Sequence, residues 1–561
     1  MRTIFPILTW LTNYPKNWLR NDLVAGLTVG VLLIPQGMAY ALIAGLPPEY
    51  GLYAALVPLL IYAILGTSRH LAVGPVALIA LLVASAVSPL AESPDEYIAL
   101  SVLLALMIGV IQLLMGILRM GFLVNLLSHP VLSGFVSAAA IVIGLSQLHH
   151  LLGVEAVSGG LHEIAYGIGI QLSDINPWTL LLGISGIALL FVIKTWMPKI
   201  PGALVAVVAG VLVVAAGGLH QAGVSIVGDI PEGLPAFSVP VIEWQTILAL
   251  LPMALAISLV AYMESIAVAK AMQQKSGAYE VDANQELVAL GAANVGGSFF
   301  QSFPVTGGFS RTAVNYDTGA KTGLASVFSA VVVAITLLVL TPLFYYLPHA
   351  ILAAIIMMAV YGLIEFNVLR KLWNLGHYDR YMFLATFAGT LFVGIEEGIL
   401  LGVVLSVLML VYRSARPHHT VMGRLPGTSI YRNVNRYDTD REEGLLVFRF
   451  DAPLHFANAE YFRKQVYELI ETNPGTKTVI LDFNGVNDMD TTGLDELFEV
   501  IDHLKEKDID VRMAQVKGPV RDLIKKGDKG TYGITFYMTI EDAAEASDSE
   551  SGIRADTSSV H

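Results

Sequence analysis

The stretch Ser302–Gly319 reads SFPVTGGFSRTAVNYDTG, and its interpretation decides the fold. One arginine, Arg311, follows a Gly-Gly pair and lies between long apolar segments. At the centre of a membrane helix an arginine costs about 2.5–3.5 kcal/mol on insertion scales, so it needs something to hold. The surroundings are those of a membrane protein. Of 561 residues 55% are hydrophobic and only 14% charged, with a mean hydropathy of +0.64. That is too apolar for a soluble chain of this size and implies a polytopic membrane protein. Runs such as LLLGISGIALLFVI (180–193) and LASVFSAVVVAITLLVL (324–340) lack charge over most of the roughly 20 residues that cross a bilayer. The first 26 residues, MRTIFPILTWLTNYPKNWLRNDLVAG, are amphipathic, carry tryptophans and lack a small-residue cleavage site, and they read as an interfacial helix. With no cysteine, disulfides and thiolate metal sites are excluded. The net charge of −13 argues against a nucleic-acid partner.

Hydrophobicity falls sharply after LSVLMLVYRSARPHH (405–419), near Arg416. Beyond it LLVFRF (445–450), TVILDF (478–483) and DVRMAQV (510–516) read as strands, and AEYFRKQVYELIE (459–471) and GLDELFEVIDHLKEK (493–507) as amphipathic helices. The expected organisation is a membrane domain over 1–416, a small α/β domain over 417–545 and a disordered acidic tail over 546–561, SDSESGIRADTSSVH forming most of it.

A cytoplasmic N-terminus and fourteen spans, some short, put Arg69, Arg119, Lys194, Lys199, Lys270, Lys275, Lys321, Arg370, Lys371, Arg380, Arg413 and Arg416 in loops on the inside. The predicted outside loops at 88–97, 149–176 and 217–245 contain no lysine or arginine. The array therefore obeys the positive-inside rule and places the C-terminal domain in the cytoplasm. Arg311 is then the one basic residue left well inside the bilayer.

Two short hydrophobic segments are interrupted at their start. In HLAVGPVALIALLVAS (70–85), Pro75 suits the first helical position, where its missing N–H costs nothing. In the opening stretch Gly307 and Gly308 precede Phe309 and Ser310, the latter pair supplying an N-cap. These are the third and tenth spans, equivalent positions if spans 1–7 and 8–14 are inverted repeats, and paired interruptions of this kind point to a transporter's central site. Each helix start carries about half a positive charge and free N–H groups, so two converging starts beside Arg311 make an anion site. The expected counterpart is Glu264, the mid-span carboxylate of LPMALAISLVAYMESIAVAKA (251–271). Burial opposes its ionisation and a nearby Arg311 favours it, a balance suited to taking and releasing protons. In the first span, LLIPQGMAYALIAGLPPEYG (32–51), Pro35 is expected to break the helix, Gln36 offers an amide, and Tyr40 lies one turn on along the same face, while Glu49 reads as a solvated loop charge.

These segments resemble the sulfate permease family of anion transporters. LLIPQGMAYALIAGLPPEYGLY (32–53), GTSRHLAVGPVALIA (66–80), GDIPEGLP (228–235) and ANQELVALGAANVGGSFFQSFPVTGGFSRTAVN (283–315) look like its motifs in the right order. TVILDFNGVNDMDTTGL (478–494) and MAQVKGPVRDLI (513–524) look like its cytoplasmic STAS domain. The resemblance implies seven-plus-seven inverted spans forming core and gate domains, and homodimers. It implies an anion between spans 1, 3, 8 and 10, touching Gln36, Tyr40, Pro75, Val76, Gly308, Phe309, Ser310 and Arg311. Glu264 stands where members associated with proton coupling carry a glutamate. Sodium-coupled bicarbonate members resemble the chain less, although Ser258, Ser265 and Thr306 keep that alternative open. By analogy with bacterial anti-sigma antagonists, Thr491 of the Asp490-Thr491-Thr492-Gly493 run is a candidate phosphosite, set against a helix cap by Thr491 or Asp490.

The expectation is a secondary active carrier of an inorganic oxyanion in the cell membrane, with proton-coupled sulfate symport by alternating access ahead of sodium-coupled bicarbonate transport and of anion exchange or uncoupled conduction. A membrane-anchored sensor is the rival from another class. No cofactor or metal is expected: the pairs His149-His150 and His418-His419 read as loop residues without further ligands, and no phosphate-binding glycine loop is present. An enzyme is not expected.

Overall fold

Eight helices in the computed structural model are long and apolar enough to cross a bilayer. That holds among the described residues, which are 5–12, 14–122, 128–155, 161–197, 200–364, 366–375, 377–528 and 532–546. Lys199 and the expected tail beyond Ala546 lie outside them. The chain divides into two units, Met1–Ser406 and Val407–His561.

The first unit opens with α1 (Ile7–Leu11), α2 (Trp18–Ile43), α3 (Pro48–Tyr53), α4 (Val57–Leu65), the two-residue strand β1 (Val73–Gly74), α5 (Ala77–Val87) and α6 (Pro94–Ile117). There follow α7 (His129–Ser146), α8 (Leu148–Leu152), α9 (Leu161–Ile170), α10 (Pro177–Trp196), α11 (Gly202–Gly217), α12 (Trp244–Ser276) and α13 (Ala283–Ser298). Then come β2 (Thr306–Gly307), α14 (Phe309–Asp317), α15 (Leu324–Ile335), α16 (His349–Tyr361), α17 (Phe366–Leu375), α18 (His377–Ala388) and α19 (Ile395–Ala415). Helix starts follow their sequence signals. Ser93 caps α6 with Pro94 at its first position, Asn176 caps α10 ahead of Pro177, and Asp282 caps α13 by accepting from the N–H groups of Asn284 and Gln285. Small residues set the tightest packing: a Cβ on Gly291 of α13 would lie 2.6 Å from the Leu113 nitrogen of α6, and one on Gly109 as close to the Val295 nitrogen. The two backbones meet because neither position has a side chain.

Two sequence expectations fail here. The N-terminal stretch is not one interfacial helix: it forms α1, whose Trp10 is buried, and then enters α2 at Trp18. Pro35 does not break α2, which runs from Trp18 to Ile43 through it. The proline forfeits one backbone hydrogen bond, and the packed turns on both sides hold the rest of the ladder.

The second unit is built on a six-stranded sheet of β3 (His419–Arg424), β4 (Tyr431–Asn433), β5 (Leu445–Phe450), β6 (Thr478–Asp482), β7 (Asp510–Ala514) and β8 (Phe536–Tyr537). The strand order is β4-β3-β5-β6-β7-β8, antiparallel as far as β5 and parallel from β5 to β8. Its helices are α20 (Ala459–Thr472), α21 (Thr491–Glu506), α22 (Gly518–Asp528) and α23 (Ile540–Glu545). Side-chain alternation fills both faces. Leu446, Phe448, Phe450, Val479 and Leu481 pack with Phe462, Val466, Leu497 and Ile501 of α20 and α21, and the intervening Val447 and Ile480 pack with Ile540 and Ala543 of α23.

Candidate anion site

The two interrupted segments meet. Strand β1 pairs antiparallel with β2, Val73 opposite Gly307 and Gly74 opposite Thr306, which brings the starts of α5 and α14 side by side. The Gly308 N–H extends the ladder by donating to the Ala72 carbonyl at 3.1 Å. The chain is extended through this ladder, and α5 starts two residues later than its sequence suggests while α14 starts two residues earlier. Val76 is the N-cap of α5, with φ −135° and ψ 143°, and Ala77, not Pro75, is its first residue. Gly308, not Ser310, is the N-cap of α14, which makes Phe309 and Ser310 its first two residues. Neither start is closed by a side chain, so its first N–H groups stay available.

Side chains from neighbouring helices hold the ladder. The Thr306 hydroxyl donates to the Ala261 carbonyl of α12 at 2.6 Å and shares a 2.7 Å hydrogen bond with Ser265, whose oxygen accepts from the Gly307 N–H at 2.7 Å. Asn294 of α13 clamps both polar groups of Val305: its Oδ1 accepts from the Val305 N–H at 2.9 Å and its Nδ2 donates to the carbonyl at 3.2 Å. Gln112 of α6 accepts from the same Asn294 amide at 3.1 Å and donates to the Ser258 carbonyl at 3.2 Å. On the other strand the Ala72 N–H donates to Thr312 Oγ1 at 3.0 Å, and Asn315 Nδ2 donates to the His70 carbonyl at 2.9 Å. Sequence reading passed over Asn294, Gln112, Thr312 and Asn315. Uncharged amides within apolar helices were the available signal, because each needs a buried partner.

Arg311 is 2% exposed. Its Nη1 donates to the Pro75 carbonyl at 2.8 Å, tying α14 to the segment that leads into α5. Nε and Nη2 are buried and have no hydrogen-bond partner. The guanidinium lies over Gly308, where a Cβ would stand 2.7 Å from Nη2, and near Gly74, where one would stand 3.4 Å away. Glu264 of α12 and buried Tyr40 of α2 lie within electrostatic reach of Arg311. Glu264 and Arg311 form no ion pair within 4.0 Å, so the direct partnership expected from the sequence is not made. The guanidinium is turned to the Pro75 carbonyl instead, and Glu264 Oε2 is buried without a partner. Gln36 and Val76 are half-buried, and Phe309 and Ser310 are exposed. The site thus combines two uncapped helix starts, two spare guanidinium donors and a carboxylate without a partner.

Glu264 is half-buried, and two other acids of the membrane unit are fully buried. Glu286 of α13 is fully buried and accepts from Tyr62 Oη at 2.6 Å, Thr67 N at 2.8 Å, Thr67 Oγ1 at 2.6 Å and Ser68 N at 3.2 Å. Asp22 of α2, also fully buried, accepts from Lys321 N at 2.6 Å, Thr322 N at 3.1 Å, Thr322 Oγ1 at 2.7 Å and Tyr14 Oη at 2.9 Å. These two carboxylates fix the loops flanking the ladder. Glu49 falls in the first turn of α3 and is half-buried rather than in a solvated loop.

In the second unit Asp490 is the N-cap of α21, its Oδ1 accepting from the Gly493 N–H at 2.8 Å, and Thr491 is the exposed first helical residue. His149 and His150 lie in α8 rather than a loop, and His150 stacks on His349 of α16 with ring centroids 5.3 Å apart. Among the described residues no group of three or more His, Asp or Glu side chains is placed to hold a metal ion.

The chain matches the sulfate permease family over residues 19–386 and the STAS domain over residues 436–543. It is 40% identical over 535 residues to sulfate transporter 4.1, chloroplastic, of Arabidopsis thaliana, covering 91% of this chain and 77% of that protein. It is 36% identical over 523 residues to a probable sulfate transporter of Mycobacterium tuberculosis, covering 93% of each. Its structure is similar to that of the murine Solute Carrier 26 family member A9 anion transporter in the inward-facing state, with a TM-score of 0.88 and 27% identity over 96% of this chain and 93% of that one. The transmembrane domain of a cyanobacterial bicarbonate transporter shares the fold, with a TM-score of 0.60 and 24% identity over 70% of this chain and 97% of that one. The chain therefore belongs to the sulfate permease family and is a multi-pass membrane anion transporter, not an enzyme, with a C-terminal α/β STAS domain.

Proposed function

We propose that this protein is a secondary active transporter that carries sulfate inward with protons by alternating access. The observation that carries this reading is the pairing of β1 with β2, which joins two uncapped helix starts beside Arg311, whose Nε and Nη2 have no protein partner. An oxyanion there takes hydrogen bonds from the N–H groups of both starts, from Ser310, Gln36 and Tyr40, and from the guanidinium, with Pro75, Val76, Gly308 and Phe309 shaping the contact. Glu264, with one oxygen buried and unpartnered, takes the proton that offsets the anion's charge. The sulfate transporters among its relatives favour sulfate over bicarbonate or chloride.

The same reading assigns fourteen spans in two inverted sevens, a core that rocks past a gate, and a homodimer in the cell membrane with both termini cytoplasmic. The membrane domain is assigned to residues 1–416, the STAS domain to 417–545 and an acidic tail to 546–561. Thr491 is assigned first to the helix start and only second to phosphorylation. Uptake of labelled sulfate, bicarbonate and chloride into liposomes, under imposed proton or sodium gradients, tests the whole reading. Glu264→Gln is expected to abolish proton-driven uptake and to spare sulfate exchange; undiminished proton-driven uptake in that variant refutes the coupling role. Arg311→Ala is expected to lower affinity for the anion, and normal uptake in it removes Arg311 from the site.

A further inference from the structure

A second cationic cavity, of about 500 Å³, lies in the first unit away from the paired helix starts. Its walls come from five places in the chain: Trp18 at the start of α2, Arg69 and His70 before β1, Tyr279 after α12, Tyr316 and Asp317 at the end of α14, and Lys321 beyond it. Arg69 and Lys321 sit in loops and Lys275 in the last turn of α12, all on the side that the charge distribution assigns to the inside face. Tyrosine rings hold two of these cations at the cavity. The Arg69 guanidinium lies 5.8 Å from the Tyr279 ring centre, and the Lys275 ammonium 5.8 Å from that of Tyr316 at the rim. Among the described residues none of the three has a carboxylate within 4.0 Å, and Asp317 is the one acid in the lining. His70 is held at both ring nitrogens, Nε2 donating to the Ala320 carbonyl at 3.0 Å and Nδ1 hydrogen-bonded to the Tyr279 hydroxyl at 3.0 Å, and burial lowers its pKa.

We propose that this cavity binds a phosphate-bearing anion, with the headgroup of an acidic phospholipid as its membrane source and soluble phosphate as its aqueous one. The lining fits that chemistry. Arg69 offers a forked set of donors, Lys321 offers a point charge, and Trp18 and the two tyrosines present amphipathic rings of the kind that sit at headgroup level, with the Lys275 ammonium nearby against the Tyr316 ring. Occupancy would act on the transport site through the backbone. The His70 carbonyl accepts from Asn315, and two residues on Ala72 bonds to Thr312 and Gly308, so a ligand held by Arg69 stiffens the segment that leads into β1.

The test uses the full-length purified protein and counts retained lipid by native mass spectrometry after exchange into detergent containing phosphatidylglycerol or phosphatidylcholine. The native protein is expected to retain phosphatidylglycerol selectively. Neutralising two charges near the surface by Arg69→Gln with Lys321→Gln is expected to weaken that retention about thirtyfold. Asp317→Asn removes the one acid from the lining and is expected to tighten it severalfold, which keeps the proposal testable if the double variant does not fold. Displacement by inorganic phosphate at low millimolar concentration assigns the site to the soluble source; failure to displace, with phosphatidylglycerol still retained, assigns it to the lipid. Equal retention of the two lipids by the native protein without phosphate binding, or no change in either variant, overturns the proposal.

Discussion

Gly308→Ala separates the role of Arg311 from the cost of deleting it. The backbone tolerates alanine, since Gly308 has φ −88° and ψ 124°, ordinary extended values. The new Cβ would stand 2.7 Å from Arg311 Nη2, 2.9 Å from Cζ and 3.2 Å from Nε. Ordinary contact begins near 3.4 Å, so the guanidinium retreats by roughly 0.7 Å. A retreat of that size can stretch the 2.8 Å hydrogen bond to the Pro75 carbonyl to about 3.5 Å, the outer edge of a hydrogen bond, and it turns the spare donors away from the helix starts. Losing one hydrogen bond from a charged group costs about 1.5–3 kcal/mol, which is roughly a tenfold to a hundredfold loss of anion affinity. Only the far end of a flexible side chain has to move, so the protein should still fold, with a lowered melting temperature from the stretched bond to Pro75. The assay pairs thermal unfolding in detergent with the concentration dependence of labelled sulfate uptake in liposomes. Unchanged affinity in a properly folded Gly308→Ala protein would show that the position of the guanidinium does not matter and refute the reasoning.

Glu286→Gln replaces a carboxylate that accepts four hydrogen bonds with an amide that turns one donor against another, and it is expected to cost about 2–4 kcal/mol, read as a lower melting temperature. Thr306→Val keeps the shape but removes the hydroxyl that joins Ala261 and Ser265; a loss of about 1–3 kcal/mol with reduced uptake is expected, and normal values would detach that hydroxyl from the site. In the STAS domain Asp490→Ala should cost about 1 kcal/mol as a lost cap and Thr491→Ala much less, measured by thermal unfolding, with the reverse order contradicting the assignment.

The membrane class, the α/β domain and the interrupted helices of the 70–85 and 302–319 segments were legible because they rest on composition, periodicity and interruptions that occur along the chain. What joins the two segments was not. Val73 and Gly307 are 234 positions apart, and a two-residue ladder leaves no periodic trace. That ladder also delayed the start of α5 from Pro75 to Ala77, since a chain held extended through Gly74 cannot turn helical until it is clear of its partner, whereas α14 turns helical directly after Gly308, ahead of the serine expected to cap it. The strands β5, β6 and β7 were visible from their apolar runs, whereas β4 and β8, with three and two residues, are too short to show alternation. Pro35 misled because a proline weighs heavily against an isolated helix and less within a packed bundle. Glu286 was overlooked because its sequence neighbours, Asn284 and Gln285, make it look like part of a polar loop; only the fold brings Tyr62, Thr67 and Ser68 around it.

The β1–β2 ladder is made of peptide groups, and peptide groups carry no alleles. A point mutation can reshape the rim of this site through Gln36, Val76, Phe309 or Ser310, but short of proline it leaves the N–H groups at the starts of α5 and α14 in place. The share of anion affinity that the backbone supplies is therefore the hardest to mutate away, whereas the share supplied by Arg311 and the choice among anions rest on single side chains and are the easiest to change.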